Sequence, residues 1–460
     1  MTVNHEQMRK ALISVIGMTP SDEQLAAIEA PLEPGLIVAG AGTGKTTVMA
    51  ARIAWLIMTR AITPDRILGL TFTTKATNEL QNRVRKFLPG AIKFAVESGA
   101  NETDELGEPT ILTYNSFGSK LLKEHALRLG LEPDARVVVD ATRYQLAMRV
   151  VANTSIDLSA FGYSAVKATK DLLKLDEGLA SYLIDPDDLI GYDQQIVAML
   201  RTIEKRQKLV EEMEVNSQTR QALATLVKDF RQAKIDADIY DYSDQIRLAA
   251  KAAQSSLAMQ EMLRSQFGVV LLDEYQDTSI GQKVLLQALF GSGHPVTAVG
   301  DPCQAIYGWR GAEITNMDLF PKDFPISNDK PAHIFNLTGN RRSGENILTA
   351  ANLLSAELRE IHPIISPLSA ANSQLSAGTI QVGLHNTFAD EVNWVADEIA
   401  ALDLKDKWGQ VAVLIRNKKN IGDFVEALEA RDVPVQVADA GDLVDLPEVR
   451  DLISYLELIA

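Results

Sequence analysis

With 460 residues the chain is too long for one ordinary hydrophobic core and predicts two to four domains. Its 46% hydrophobic and 23% charged residues describe a globular protein, and apolar stretches no longer than strands, such as Gly268–Leu272 and Val411–Ile415, exclude a membrane-spanning helix. A net charge of −16 counts against a small basic nucleic-acid module, and the single cysteine, Cys303, excludes an internal disulfide and zinc-site spacing.

Met1–Lys10 is polar and lacks an apolar signal core, which gives a cytoplasmic reading. Ser21 is placed to cap an amphipathic helix over Asp22–Ala30. Leu36–Val38 is a short apolar run entering a glycine-rich turn, and helical spacing follows from Thr46 to Met58. Ile67–Phe72 is apolar, ends in threonines and predicts a second buried strand. Residues 75–86 carry Lys75, Arg83, Arg85 and Lys86 against Glu79, which on composition alone is a solvated helix face. From 118 to 237 long stretches with helical spacing replace the buried strands, as in a helical insertion. Val269–Leu272 and Pro295–Val299 predict two more strands. Phe324–Pro331, with Pro, Ser, Asn and Asp, predicts a crossing into another domain. Val411–Ile415 as a strand and Gly422–Ala430 as a helix would open a second α/β unit, and Leu446–Ala460 is helical to the last residue, as if the chain stopped inside a domain. Strands alternating with helices predict a parallel α/β sheet.

The strongest local signal is the run Ala39, Gly40, Ala41, Gly42, Thr43, Gly44, Lys45, Thr46 and Thr47, set between a strand and a helix. Glycines let backbone N–H groups turn inward around phosphate oxygens, and the helix N-terminus adds its positive end. Lys45 would reach the β- and γ-phosphates of ATP, and Thr46 would ligate Mg²⁺. The strict pattern has glycine where this chain has Ala39. Such a loop needs an acid on a nearby strand. Val269–Leu272 followed by Asp273 and Glu274 supplies one, with Asp273 toward the metal and Glu274 orienting and deprotonating the attacking water.

At these residues the chain resembles the UvrD/Rep family of superfamily-one helicases. Asp273-Glu274-Tyr275-Gln276-Asp277 is similar to that family's second motif, and the segment Val299–Ala312 to its third. Thr71-Phe72-Thr73-Thr74-Lys75-Ala76 resembles motif Ia, and Thr113-Tyr114-Asn115-Ser116-Phe117 the motif after it. Pro20-Ser21-Asp22-Glu23-Gln24 resembles the glutamine motif, and Asn340-Arg341-Arg342-Ser343 motif IV. The opening stretch and Pro447–Asp451 are similar to actinobacterial helicase–nuclease subunits of the AdnB type.

The resemblance implies an α/β P-loop fold: a first RecA-like domain over 1–117 and 238–330, the helical insertion over 118–237, and an incomplete second RecA-like domain over 331–460. It implies that Gln24 reads the adenine edge with Arg52 nearby, that Gln304 senses the γ-phosphate, and that Arg342 is the arginine finger. Phe72, Tyr307 and Trp309 would line a single-strand path, since aromatic faces stack any base, while Thr71, Ser116 and Arg310 would touch the strand. Without the resemblance, Phe72 reads as core, Arg342 as a salt-bridge arginine and Cys303 as a small filler.

This chain departs from the family pattern at Arg341, where a tyrosine usually stacks on adenine, and lacks motifs V and VI, the mobile domain before them, and the nuclease domain of the AdnB type. The implied activity is ATP-dependent 3′→5′ helicase or translocase action in repair or recombination, on single-stranded DNA and DNA junctions, with a second helicase–nuclease subunit as a possible partner. Two alternatives stay open: an ATP-dependent single-strand-binding subunit without unwinding, and a P-loop ATPase that acts on protein.

Overall fold

The computed structural model describes residues 4–99, 107–126, 132, 135–204, 207–372, 374–402, 404, 407–438 and 447–459. The chain divides into two units, Met1–Gly378 and Thr379–Ala460.

In the first unit, helices α1 (His5–Ile16) and α2 (Asp22–Ile28) each begin with a capping box, from Asn4 and Ser21. Strand β1 (Gly35–Ala39), α3 (Lys45–Met58), β2 (Ile67–Thr71), α4 (Thr74–Glu97), β3 (Thr110–Thr113) and α5 (Tyr114–His125) follow. The chain then passes through β4 (Arg136–Val137) into α6 (Asp140–Asn153), α7 (Ala165–Tyr182), α8 (Pro186–Arg201) and α9 (Lys208–Asp236), and returns through β5 (Ile239–Tyr240). Next come α10 (Tyr242–Ser255), α11 (Leu257–Gln266), β6 (Val269–Leu272), α12 (Ile280–Phe290), β7 (Val296–Gly300), α13 (Thr315–Asp323) and β8 (His333–Leu337).

Six strands form one parallel sheet in the order β3-β2-β6-β7-β1-β8. The apolar runs of β1, β2, β6 and β7 are buried along their whole length, because helices cover both faces of the sheet. Leu36, Val38, Leu70 and Leu272 face a core with Phe117, Tyr275, Phe290 and Phe320. Ile37, Leu271 and Val299 face the other, with Met49, Ile53 and Leu80. Parallel strands bring all their C-terminal ends to one edge, where ligands of such sheets bind. That edge therefore gathers the residues after Ala39, Thr71, Leu272 and Gly300.

The expected domain boundary at 330 is not where the sheet ends. Strand β8 pairs with β1 from Gly35↔His333 to Ala39↔Leu337. Phe324–Pro331 is a turn, closed by a bridge between Ser327 and Lys330, that brings the chain back to the sheet edge. As an edge strand β8 is half exposed and shows no apolar run. Beyond it, β9 (Gly339–Asn340) pairs with β10 (Ser369–Ala370), with α14 (Glu345–Leu354) and α15 (Ala356–Ile361) between them.

The helical insertion has its own core of Ala147, Leu172, Leu226 and Phe230. The expected start at 118 falls inside α5, which packs on α10 of the main body; the helical body begins after β4. Parallel strands β4 and β5 form its neck. Beside the neck lies a buried charge cluster. Lys234, 2% exposed, sits 3.1 Å from Asp176, 3.0 Å from Asp241 and 2.7 Å from Asp244. Arg143 pairs with Asp241, Arg231 with Asp176 and Arg247 with Asp244.

In the second unit α16 (Phe388–Ala400) and α17 (Ile421–Glu429) pack through Ala396, Leu428 and Val433, so the helix expected over Gly422–Ala430 is present within a residue. The strand expected at Val411–Ile415 is not formed, and Leu414 is 94% exposed. An apolar run becomes a strand only against a partner ladder, and the described residues of this unit contain no strand. Helix α18 (Pro447–Ile459) matches the expected terminal helix, whose first and last residues, 446 and 460, lie outside the described residues. No described helix is long and apolar enough to cross a membrane.

Candidate nucleotide and nucleic-acid site

Strand β1 delivers the loop Gly40–Gly44, and α3 starts at Lys45 directly after it. Gly42 and Gly44 adopt left-handed backbone angles, φ 72° and 90°, which a residue with a Cβ rarely takes. The loop is closed by the Thr43 hydroxyl donating to the Gly40 carbonyl, 2.8 Å. Gly44 caps α3 without any side-chain hydrogen bond, so the first-turn N–H groups, around Lys45, Thr46 and Thr47, remain for an anion.

Asp273 and Glu274 leave the end of β6. Asp273 is 3% exposed, and its Oδ1 accepts the Glu274 N–H at 3.0 Å. Burial first, and then the charge of Glu274, push its carboxyl up to about 7. A buried carboxylate so short of positive partners fits a divalent cation, which Asp273 and the half-buried Thr46 would hold. Lys45 Nζ lies 3.6 Å from Glu274 Oε2. Glu274 itself has φ 48°, a left-handed conformation that costs on the order of 1–3 kcal/mol and is typical of functional turns. The Tyr114 hydroxyl donates to the Asp273 carbonyl at 3.1 Å and anchors the turn.

The segment 340–342 lies on the loop. Asn340 Nδ2 donates to the Ala41 carbonyl, 2.5 Å, and the Arg341 N–H to the Gly42 carbonyl, 3.0 Å. Asn340 Oδ1 accepts the N–H groups of Arg342 and Ser343, both at 2.8 Å, which leaves the Arg342 side chain exposed beside the loop. Leu368 touches Gly40. Glu23 fastens the same region from α2, accepting from the Thr338 hydroxyl at 2.6 Å and from the Thr338 N–H at 2.8 Å. Sequence reasoning gave no role to Asn340 or Glu23, although both stood inside quoted motifs; their partners are about three hundred residues apart in the chain.

Two expected nucleotide contacts are different in the structure. Arg52, expected near adenine, is 1% exposed. Its guanidinium donates to the carbonyls of Ala27, Ile28, Ala30 and Pro31 and to the Thr297 hydroxyl. It satisfies the carbonyls at the end of α2 and is a structural brace. Gln24 is 4% exposed, accepts the Ser21 N–H at 3.0 Å and donates to the Thr43 carbonyl at 2.8 Å, tying α2 to the loop.

Along the same sheet edge runs an aromatic platform. Phe72 is half-buried, with its ring centroid 4.7 Å from that of Tyr307. Tyr307 lies 6.3 Å from Trp309, which is 76% exposed and carries the Arg310 guanidinium 5.0 Å from its ring. Ser116 is exposed at the start of α5 and its hydroxyl accepts from that of Thr113. Thr71, expected to touch the strand, is fully buried; its hydroxyl donates to the Thr73 carbonyl and meets that of Thr77 at 2.6 Å, so it shapes the turn into α4. Of the basic track on α4, Lys75 is exposed, Arg83 donates to the Thr47 hydroxyl at 2.7 Å and Arg85 pairs with Glu108. Gln304 donates to Asp301 Oδ2 at 2.5 Å. Cys303 is exposed and unpaired by disulfide.

A phosphate-binding loop on one strand, an acid pair on another and a six-stranded parallel sheet define a RecA-like P-loop α/β protein. The UvrD/REP helicase N-terminal domain model matches residues 20–325, and the UvrD-like helicase C-terminal domain model matches residues 335–460. The chain belongs to the UvrD/REP helicase family. It is 29% identical over 441 residues to the ATP-dependent DNA helicase PcrA of Staphylococcus epidermidis, covering 96% of this chain and 54% of that protein. It is 28% identical to the PcrA helicase of Staphylococcus aureus, covering 95% of this chain and 53% of that protein. The chain thus spans about half the length of these curated relatives.

Proposed function

We propose that this chain is the ATP-hydrolysing motor part of a DNA helicase that moves 3′→5′ along single-stranded DNA during repair or recombination. The observation that carries the reading is the placement of a phosphate cradle and an exposed aromatic platform at one edge of one sheet. In this reading Lys45 leaves Glu274 for the β- and γ-phosphates, which frees the Glu274 carboxylate to orient water and take its proton. Thr46 and Asp273 would hold Mg²⁺, which would supply neutralisation of phosphate charge. Arg342 stabilises charge on the transferring phosphoryl group, and Gln304 senses its presence. Phe72, Tyr307 and Trp309 stack bases whatever their sequence, while Arg310 and Ser116 hold the strand.

The test is ATP hydrolysis with and without an unstructured oligonucleotide, alongside unwinding of duplexes with a 3′ or a 5′ tail. Hydrolysis stimulated by single strands is the expected result for this chain, with little or no unwinding by it alone; unwinding from the 3′ tail is expected of a chain that also carries motifs V and VI. Hydrolysis that ignores DNA would overturn the motor reading. Stimulated hydrolysis without strand separation would assign strand binding or translocation alone.

A further inference from the structure

We propose that Gln276 is the positioning residue that couples the carboxylate of Glu274 to the aromatic platform, so that bound nucleotide and bound strand influence each other through one side-chain amide. The inference rests on the motor reading, since it takes Glu274 as the base and Tyr307 with Trp309 as the strand platform.

Gln276 is 1% exposed and lies in the short turn Tyr275–Asp277. Its Nε2 donates to Glu274 Oε2 at 2.9 Å and to Asp277 Oδ2 at 3.2 Å. Its Oε1 accepts the Asp301 N–H at 3.0 Å. The orientation of the amide follows from chemistry: turned over, it would aim its oxygen at two carboxylates and its NH₂ at a backbone N–H. Only one arrangement satisfies all three neighbours.

The far end of this link is the platform itself. Asp301 is the residue after β7, and its carboxylate accepts the Cys303 N–H and the Gln304 amide. The backbone then runs through Ala305 and Ile306 to Tyr307 and Trp309, and the short turn at Trp309 is closed by Arg310 N–H donating to the Tyr307 carbonyl, 2.8 Å. A shift of this segment on strand binding moves the Asp301 N–H, and with it the amide that holds Glu274. Glu274 Oε2 is also the oxygen nearest Lys45, so nucleotide arrival changes the other end of the same link. Space for the amide is kept by Gly300, where a Cβ would come within 2.7 Å of Gln276 Oε1 and 2.8 Å of Met317 Sδ. The link is short and its central amide is buried, so a shift at one end is passed to the other or breaks a hydrogen bond.

Coupling between two ligands is reciprocal and is measured as a ratio of affinities. The experiment determines the Kd of the full chain for a labelled oligothymidylate with and without saturating Mg–AMP-PNP, a non-hydrolysable ATP analogue. The wild-type chain should show a ratio of about fivefold or more. Gln276→Met keeps the shape and removes every hydrogen bond; its ratio should fall to near one, with nucleotide-free DNA affinity within about twofold of wild type. Gln276→Leu, a second apolar replacement, also removes the donor to Glu274 and the acceptor for Asp301; its ratio should also approach one, and it decides the matter if the methionine variant melts early. A wild-type ratio kept by both variants, or a wild-type ratio of one, overturns the proposal. A purely structural glutamine would lower melting temperature and both affinities while leaving the ratio intact. ATP hydrolysis by the wild-type chain is read in parallel: its absence defeats the motor reading, whereas hydrolysis with unchanged ratios defeats the role of Gln276 alone.

Discussion

Two buried groups of charges in this protein are built in opposite ways. At the neck of the insertion every carboxylate meets a cation: Lys234 contacts three aspartates, and Arg143, Arg231 and Arg247 cover the remaining sides. Burial alone would raise the Asp241 carboxyl, but Lys234, the Ser243 hydroxyl and Arg143 outweigh it and hold the carboxyl far below its ordinary range. In the cleft the balance is reversed. Asp273 is pushed up to about 7, and Asp277 to about 6, each by burial and then by Glu274. A buried charge group whose carboxylates all face cations has a structural task, and one whose carboxylates are left short of cations is shaped for a ligand that brings the missing charge.

The comparison can be broken most forcefully at Glu274. Glu274→Gln removes a base from the cleft and should lower DNA-stimulated ATP hydrolysis by about two to four orders of magnitude, read in a steady-state assay. Thermal stability should not fall, because the cleft is not held together by that charge. At the neck the pattern inverts. Lys234→Met leaves three buried carboxylates without their shared cation and should cost about 3–5 kcal/mol in denaturant unfolding. A loss below about 1 kcal/mol would show that the cluster is not the clamp its geometry suggests.

Asp273→Asn sharpens the contrast. It keeps an acceptor for the Glu274 N–H and removes an under-partnered buried charge, so the nucleotide-free protein should gain about 1–3 kcal/mol while hydrolysis collapses. Stability traded against activity at one residue is the signature of a ligand site. Trp309→Ala should weaken single-strand binding by about 1–3 kcal/mol without altering unfolding, since the indole is mostly exposed.

Acid should reach the neck late. A carboxylate whose pKa is lowered by folding stabilises the protein above its unfolded value, near 3.9, and that contribution is lost as pH falls through the folded value. Asp241, faced by Lys234, Arg143, Asp244 and Asp176, therefore predicts insertion helices that stay protected from hydrogen exchange down to about pH 4 and lose protection below it. Loss of protection already near pH 6 would contradict the pairing.

Most of the central sheet was legible, because β1, β2, β6 and β7 are continuous apolar runs bounded by turns, as strands covered on both faces are. The phosphate loop was legible for the same local reason. Edge strand β8 was not, since half of its side chains face outward. Val411–Ile415 misled in the other direction, as apolarity signals a strand without supplying its ladder. In the site, Lys45 with Glu274 and the exposed Trp309 could be anticipated from residue type and spacing. The burial of Thr71 and Arg52 could not, because a hydroxyl or guanidinium looks the same in sequence whether it meets ligand or backbone carbonyls. Gln276 was visible inside a motif, but its tie to Asp301 depends on β6 and β7 lying side by side.

The register of β1 carries a consequence for the order in which the molecule assembles. Among the described residues that strand pairs with β7 and β8, which follow it by some 260 to 300 positions. During synthesis at roughly 5–20 residues per second, the phosphate loop therefore leaves the ribosome many seconds before its neighbours exist. The insertion helices, whose contacts lie close together in sequence, can form in that interval, whereas closing the sheet around β1 is a late, slow event dominated by distant pairings. Until then the apolar run Leu36–Val38 is an unsatisfied strand, and a nascent chain stalled before residue 333 should be the species most prone to aggregation and most dependent on chaperones.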